Sequence, residues 1–262
     1  MLGGPHDIEE HVYRQDPGIN ISLLKEMGRS PRKMLRSMQM QRKESPAQAL
    51  GKAMHMAILE PENFLSTYIT EPDGVNKRKK ADREALEELR ASGKEILSNE
   101  DFEACLLQAE RIRTSPFFAK LIDGKAETSW FENYHGRRIK GRLDIWIPEK
   151  RVIVDIKTTD SADERNFARD AIKYGYHVQA AFYSDLVSAC INEPVAGFAI
   201  LAIEKTEDRD MRAFWLDPEL IEAGRKLYRQ WLDQFILCEE SGNFPGYPQR
   251  LYDLKLPIWM KD

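Results

Sequence analysis

The apolar positions of this chain change their period about halfway along. Before residue 127 they recur at three- and four-residue intervals, the spacing of one helix face. NISLLKEMGRSPRKMLRSMQMQRK, residues 20 to 43, predicts a helix capped by Asn20 or Ser22, broken at Ser30-Pro31, where a second helix begins. PAQALGKAMHMAILE, residues 46 to 60, predicts another helix, ended by Pro61. A polar, basic loop over 73 to 83 precedes helices at 82 to 92 and 98 to 114. From Glu127 the period becomes two: ETSWFENY, RRIKGRLDIWI and RVIVDIKT read as three successive strands. A helix over 162 to 191, broken near Gly175, separates them from two more strands, GFAILAIEK and MRAFWL. A helix over 218 to 240 follows, with Gly242 at its C-cap, and then an aromatic and proline-rich tail. This order predicts one α/β domain with a mixed sheet and a helical N-terminal part packed on it. Within 1–262 we expect an N-terminal extension (1–19), a mainly helical part (20–126) and a core (127–262).

Composition narrows this reading. The 262 residues include 42% hydrophobic and 31% charged, enough apolar surface for a packed core and too much for a disordered chain. A net charge of -4 argues against a uniformly basic nucleic-acid binder, although local clusters decide contact with phosphates. Cys105, Cys190 and Cys238 lie far apart and form no CxxC pair, which suggests a reducing compartment without a zinc ribbon. The N-terminus lacks the pattern of a signal peptide, and no apolar run is long enough to span a bilayer, so a cytoplasmic protein is expected.

The chemistry concentrates in GRLDIWIPEKRVIVDIKTT, residues 141 to 159. A turn at Pro148 to Arg151 sets Ile147 opposite Val152, Ile145 opposite Val154 and Leu143 opposite Ile156, one apolar face. On the other face Trp146 meets Ile153, Asp144 meets Asp155 and Arg142 meets Lys157. Opposed carboxylates cost about 0.2–1 kcal/mol on a solvated sheet and more when buried. A divalent cation would offset that repulsion, since hard Mg²⁺ prefers carboxylate oxygen. Lys157 could then hold a water or neutralise charge on the reacting phosphate, and the Ile156 carbonyl could also face the metal. The alternative is a hairpin face of ordinary solvated charges.

Asp144 followed by Asp155-Ile156-Lys157 resembles the D…(D/E)xK signature of the restriction-endonuclease-like, PD-(D/E)XK, nuclease superfamily. Gln179 and Tyr183 in YHVQAAFY are similar to the QxxxY motif of its RecB-like branch. GKAMHMAILEPENF resembles the branch's N-terminal helix, whose histidine, here His55, is an additional metal ligand. SLLKEMGRSPRKM, FAILAIEK and NFPGYPQ…LPIW extend the likeness to the RecE-type exodeoxyribonuclease VIII family, from residue 20 to the end. The chain lacks the four clustered cysteines of the iron–sulfur subgroup. The resemblance implies a Mg²⁺-dependent exonuclease on double-stranded DNA ends, with Mn²⁺ substituting and one or two ions per site. It implies digestion 5′ to 3′ to mononucleotides, leaving a 3′ single-stranded tail. It also implies a homo-oligomeric ring, a RecT-like single-strand annealing partner and a phage or prophage origin in a bacterial cell. An endonuclease on the same fold and a non-catalytic DNA-binding protein are the competing readings.

The remaining candidates carry two readings each. Gln179 and Tyr183, four apart, share a helix face and either orient Lys157 or touch a DNA phosphate, or else are ordinary exposed positions. Glu127 is either a ligand to a second metal, a partner of the DNA end, or a strand-edge charge. Arg29, Arg32, Lys33, Arg36, Lys77, Arg78, Lys79, Lys80, Arg142 and Thr158 are candidate DNA contacts, supported by Arg137, Arg138 and Lys140 near the active strand; charge runs are otherwise solvated faces. Trp130, Phe131 and Trp146 read as core, or one of them as a wedge at the duplex terminus.

Overall fold

The computed structural model describes residues 2–40, 45–72, 74, 79–91, 93–206 and 208–255. Lys77 and Arg78 lie outside them. Strand β1 (Gly3–His6) and the short helix α1 (Glu10–Gln15) come first. Helices α2 (Ile21–Arg29) and α3 (Pro31–Gln39) follow, divided at Ser30 as the Ser-Pro step requires. Asn20 caps α2 by accepting from the Leu23 amide, and Ser30 caps α3. Next come α4 (Pro46–Leu59), α5 (Pro61–Thr67), β2 (Tyr68–Thr70), α6 (Lys80–Ala91), β3 (Glu95–Leu97), α7 (Asn99–Thr114) and α8 (Ala119–Ile122). Pro61 ends α4 as expected, but as the first residue of α5. The parallel pair β2 and β3 forms a small separate sheet that three-residue strands are too short to announce by alternation.

The core sheet comprises β4 (Lys125–Tyr134), β5 (Arg137–Ile147), β6 (Val152–Thr159), β7 (Gly197–Glu204) and β8 (Met211–Trp215), with β1 at one edge, in the order β1-β4-β5-β6-β7-β8. Only β6 and β7 run parallel; the other neighbours are antiparallel. Their crossover is α9 (Glu164–Lys173) and α10 (Tyr176–Ile191), and the chain then closes with α11 (Pro218–Ser241). Gly175 separates α9 from α10 at φ +66°, and Gly242 terminates α11 at φ +66°, both conformations that favour glycine. One face of the sheet packs on α2, α10 and α11 through Leu24, Phe182, Leu186, Leu232 and Phe235. The other packs on α4 and α7 through Ala53, Ala57, Cys105 and Ile112. This is the mixed sheet flanked by helices of the restriction-endonuclease-like architecture. Trp130, Phe131 and Trp146 are core, as expected.

The first nineteen residues do more than extend the chain. β1 hydrogen-bonds to β4, and Ile19 bridges in parallel to Ile139 of β5. Ile19 thereby takes the backbone edge of β5 past the end of its ladder with β6. Among the described residues, no helix is long and apolar enough to cross a membrane.

Candidate metal centre

The hairpin keeps the expected register where it is tightest: Ile147 pairs with Val152, Trp146 with Ile153 and Ile145 with Val154. Past that point the expectation needs correction. Leu143 packs with Trp146 against the α10 face, whereas Ile145 and Ile147 lie on the α4 face. The alternation of β5 therefore inverts between Leu143 and Ile145. β4 carries the matching irregularity at Glu127, whose φ is +49°, between the pairs Thr128↔Leu143 and Ala126↔Ile145. Asp144 and Glu127 sit at the inversion, and neither belongs to the regular pleat. Instead of a ladder pair between Asp144 and Asp155, Asp144 Oδ2 accepts the Ile156 amide hydrogen at 2.7 Å.

Helix α4 supplies the third side of this pocket. Gly51 faces β6, where a Cβ would be in ordinary contact with Thr158 Oγ1 at 3.4 Å. His55, one turn on and on the same face, reaches Asp144, with Nδ1 3.5 Å from Oδ2. One ligand atom each from His55, Glu127 and Asp144 fall within 4.8 Å of one another. Glu127 also accepts from Arg142 Nε at 2.8 Å.

Electrostatics fit these residues to a cation. Burial, then the neighbouring Asp155 charge, pushes Asp144 up to about 7. Burial, then Asp144, pushes Glu127 up to about 7 despite Arg142. Burial, then Lys157, lowers His55, opposed in part by the Glu127 and Asp155 charges and by a hydrogen bond to the Ile156 backbone, which favours a neutral imidazole able to donate a lone pair. Two desolvated carboxyls and a neutral imidazole converging on one point form a donor set suited to a divalent metal.

Asp155 occupies the next position. It is 2% exposed, and its carboxylate accepts from Gln179 Nε2 at 2.7 Å and is ion-paired with Lys157. The three-residue ligand group is His55, Glu127 and Asp144, and Asp155 lies beside it. Lys157 Nζ also stands 5.3 Å from the centroid of Tyr176. Gln179 thus contacts Asp155 rather than Lys157. Tyr183, one turn along α10, is buried beside Gly141, where a Cβ would meet its ring at 3.0 Å; burial raises its phenol well above the ordinary value.

The basic candidates separate into two groups. Arg29, Arg32, Lys33, Arg36, Lys79 and Lys80 are exposed. Lys33 donates to the Tyr247 hydroxyl at 2.9 Å, and Arg29 pairs with Glu26. Thr158 faces α4 at Gly51. Arg142, by contrast, is a correction: its guanidinium is committed to Glu127, the Ile8 carbonyl and Ser129, because β4 and the N-terminal segment enclose it. The supporting cations are likewise engaged, Arg137 by Glu239, Arg138 by Asp16, and Lys140 by the Tyr13 and Asp16 carbonyls. They hold the N-terminal segment and α11 to the sheet instead of facing solvent. Lys25 of α2, which donates to Gln179 Oε1 at 3.4 Å, escaped the sequence reading; a lone lysine on an amphipathic helix carries no signal of its destination.

A mixed sheet with acids from β4 and β5 and a histidine from α4 beside a D-x-K strand defines the class as the PD-(D/E)XK-like nuclease fold. The chain belongs to the family described as a PDDEXK-like domain of unknown function (DUF3799), which it matches over residues 20–251. Among solved structures, it is similar to a protein from Eubacterium rectale provisionally named an exonuclease, with 15% identity, a TM-score of 0.69, and coverage of 97% of this chain and 98% of that one. A phage-related exonuclease from Haemophilus somnus 129PT aligns with 15% identity and a TM-score of 0.33 over 71% of this chain and 93% of that one. An alkaline exonuclease from Laribacter hongkongensis aligns with 13% identity and a TM-score of 0.31 over 72% and 95%. No curated protein matches the chain in sequence.

Proposed function

We propose that the protein is a metal-dependent exodeoxyribonuclease acting on double-stranded DNA ends. The observation that carries this reading is the convergence of His55, Glu127 and Asp144 beside the Asp155–Lys157 pair. His55, Glu127, Asp144 and Asp155, with the Ile156 carbonyl, would hold Mg²⁺ or Mn²⁺, as one ion or two. A bound cation would polarise a phosphoryl oxygen and lower the pKa of water at neutral pH. Lys157 supplies the ammonium for the nucleophile or for charge on the reacting phosphate. Gln179 fixes Asp155, and Tyr183 closes the α10 side of the pocket against water. Arg29, Arg32, Lys33, Arg36, Lys79 and Lys80 offer exposed positive charge for phosphates without base readout, with Thr158 at the pocket wall.

The RecE-type motifs, and the Eubacterium rectale relative named for exonuclease activity, favour digestion from an end over internal cutting. The same resemblance supports 5′ to 3′ polarity, mononucleotide products, a 3′ tail, a ring of copies, a RecT-like annealing partner and a cytoplasmic, phage-type recombination setting. The test is incubation in Mg²⁺ with end-labelled linear duplex and with closed circular duplex. Mononucleotides from the linear form alone are expected. Nicked circles would replace exonuclease by endonuclease, and binding without cutting would remove catalysis from the reading.

A further inference from the structure

Ile21, Leu24 and Met27 bury one face of α2, and Lys25, beside that face, crosses to α10. Its stem passes Gly175, where a Cβ would lie 3.3 Å from Lys25 Cε. Its Nζ reaches Gln179 Oε1 at 3.4 Å and stands 5.9 Å from the centroid of Tyr176. Lys157 reaches the same ring from β6. Two ammonium groups therefore flank one aromatic ring, and one amide joins Lys25 to Asp155. The charges do not balance in pairs. Asp155 is taken by Lys157, and among the described residues no carboxylate stands within ion-pair distance of Lys25. Burial, then repulsion from Lys157, brings Lys25 down to about 8, a further sign that its charge is under-compensated. An ammonium removed from water without a counter-ion is costly, and a fixed anion would offset that cost.

We propose that Lys25 binds a phosphate group of the substrate strand next to the one cut, in a subsite formed with Tyr176 and Gln179 on the α10 side of the metal centre. This rests on the nuclease reading above. The phosphate is either an internal phosphodiester or a terminal phosphomonoester; the recognising chemistry is the same, a charge-assisted N–H···O contact. The subsite is distinct from the exposed basic residues of α3, because its cation is enclosed and already positioned by an amide and a ring.

The experiment compares the full chain with Lys25→Met and Lys25→Arg in Mg²⁺, on linear duplexes with and without terminal phosphates and across a salt series. Lys25→Met should raise KM about ten-fold or more with kcat held within about three-fold, a loss typical of one charge-assisted contact. The dependence of log kcat/KM on log salt should become shallower by about one. Lys25→Arg should recover most of the loss, and Mn²⁺ affinity by calorimetry should not move. A defect confined to phosphorylated ends identifies the terminal group, and an equal defect on both identifies an internal one. Unchanged KM and salt slope in Lys25→Met would overturn the inference while leaving the nuclease reading standing. A wild-type chain that cuts no duplex would remove both. Should Lys25→Met fail to fold, Lys25→Gln, which keeps a polar group toward Gln179, carries the same comparison.

Discussion

Asp144 Oδ2 accepts the Ile156 amide hydrogen at 2.7 Å and also lies 3.5 Å from His55 Nδ1. One carboxylate thus closes the hairpin backbone and faces the metal pocket. Asp144→Asn preserves an acceptor for Ile156 but replaces an anionic oxygen by an amide at the pocket. Mn²⁺ affinity should fall at least ten-fold by calorimetry and cutting should be lost, with the melting temperature close to wild type. Wild-type metal affinity in this variant would exclude Asp144 as a ligand.

The Asp155–Lys157 pair is enclosed, so removing one partner leaves a charge in a poor solvent. Lys157→Met should abolish cutting and cost about 3–5 kcal/mol, read by urea titration at neutral pH. Asp155→Asn in the same chain should restore much of that stability without restoring activity. Equal stability of single and double variants would show that the pair is not coupled.

The two raised carboxyls make stability depend on pH. Folded, without metal, Glu127 and Asp144 keep protons up to about 7 that an unfolded chain releases near its ordinary carboxylate range. The folded state binds more protons between these limits, so stability is lost as pH rises from about 4 through about 7. Melting of the metal-free protein at pH 5 and pH 8 should show that loss. Mn²⁺ should reverse it at pH 8 and bind more weakly at pH 5, where protons compete. Glu127→Gln should flatten the profile; an unaltered one would place the titration elsewhere.

Gly224 brings α11 against α10 where α10 begins. A Cβ there would overlap the His177 carbonyl, two residues before Gln179. Gly224→Ala should cost about 1–3 kcal/mol by forcing the helices apart. It should also lower kcat through displaced Gln179, although the residue is remote from the metal pocket. A stable variant with full kcat would mean that the α10–α11 contact does not position Gln179.

Arg142 separates a structural cation from a DNA-facing one. Arg142→Gln should leave the salt dependence of DNA binding unchanged, since the guanidinium is spent on Glu127, Ile8 and Ser129. It should raise the Glu127 carboxyl further and weaken Mn²⁺ binding at pH 7. A shallower salt slope would return Arg142 to the phosphate surface.

The sequence by itself determined the local elements. Alternation located the five core strands, Ser30-Pro31 divided α2 from α3, Gly175 divided α9 from α10, and Pro148 to Arg151 set the turn that registers Ile147 with Val152. These features follow from period, capping and backbone restriction, which act over a few residues. D-x-K with QxxxY singled out Asp144, Asp155, Lys157, Gln179 and Tyr183 as candidates, and the helix motif singled out His55. Only the tertiary structure decided which of them meet. It inverted the pleat at Glu127 and Asp144, brought His55 across from α4, gave Gln179 to Asp155, and drew Lys25 into the pocket. It also turned Arg138, Lys140 and Arg142 inward to acids and carbonyls remote in the chain. The physical reason is that charge compensation in a buried pocket is set by distance in space, whereas a periodic pattern records only the face from which each side chain starts.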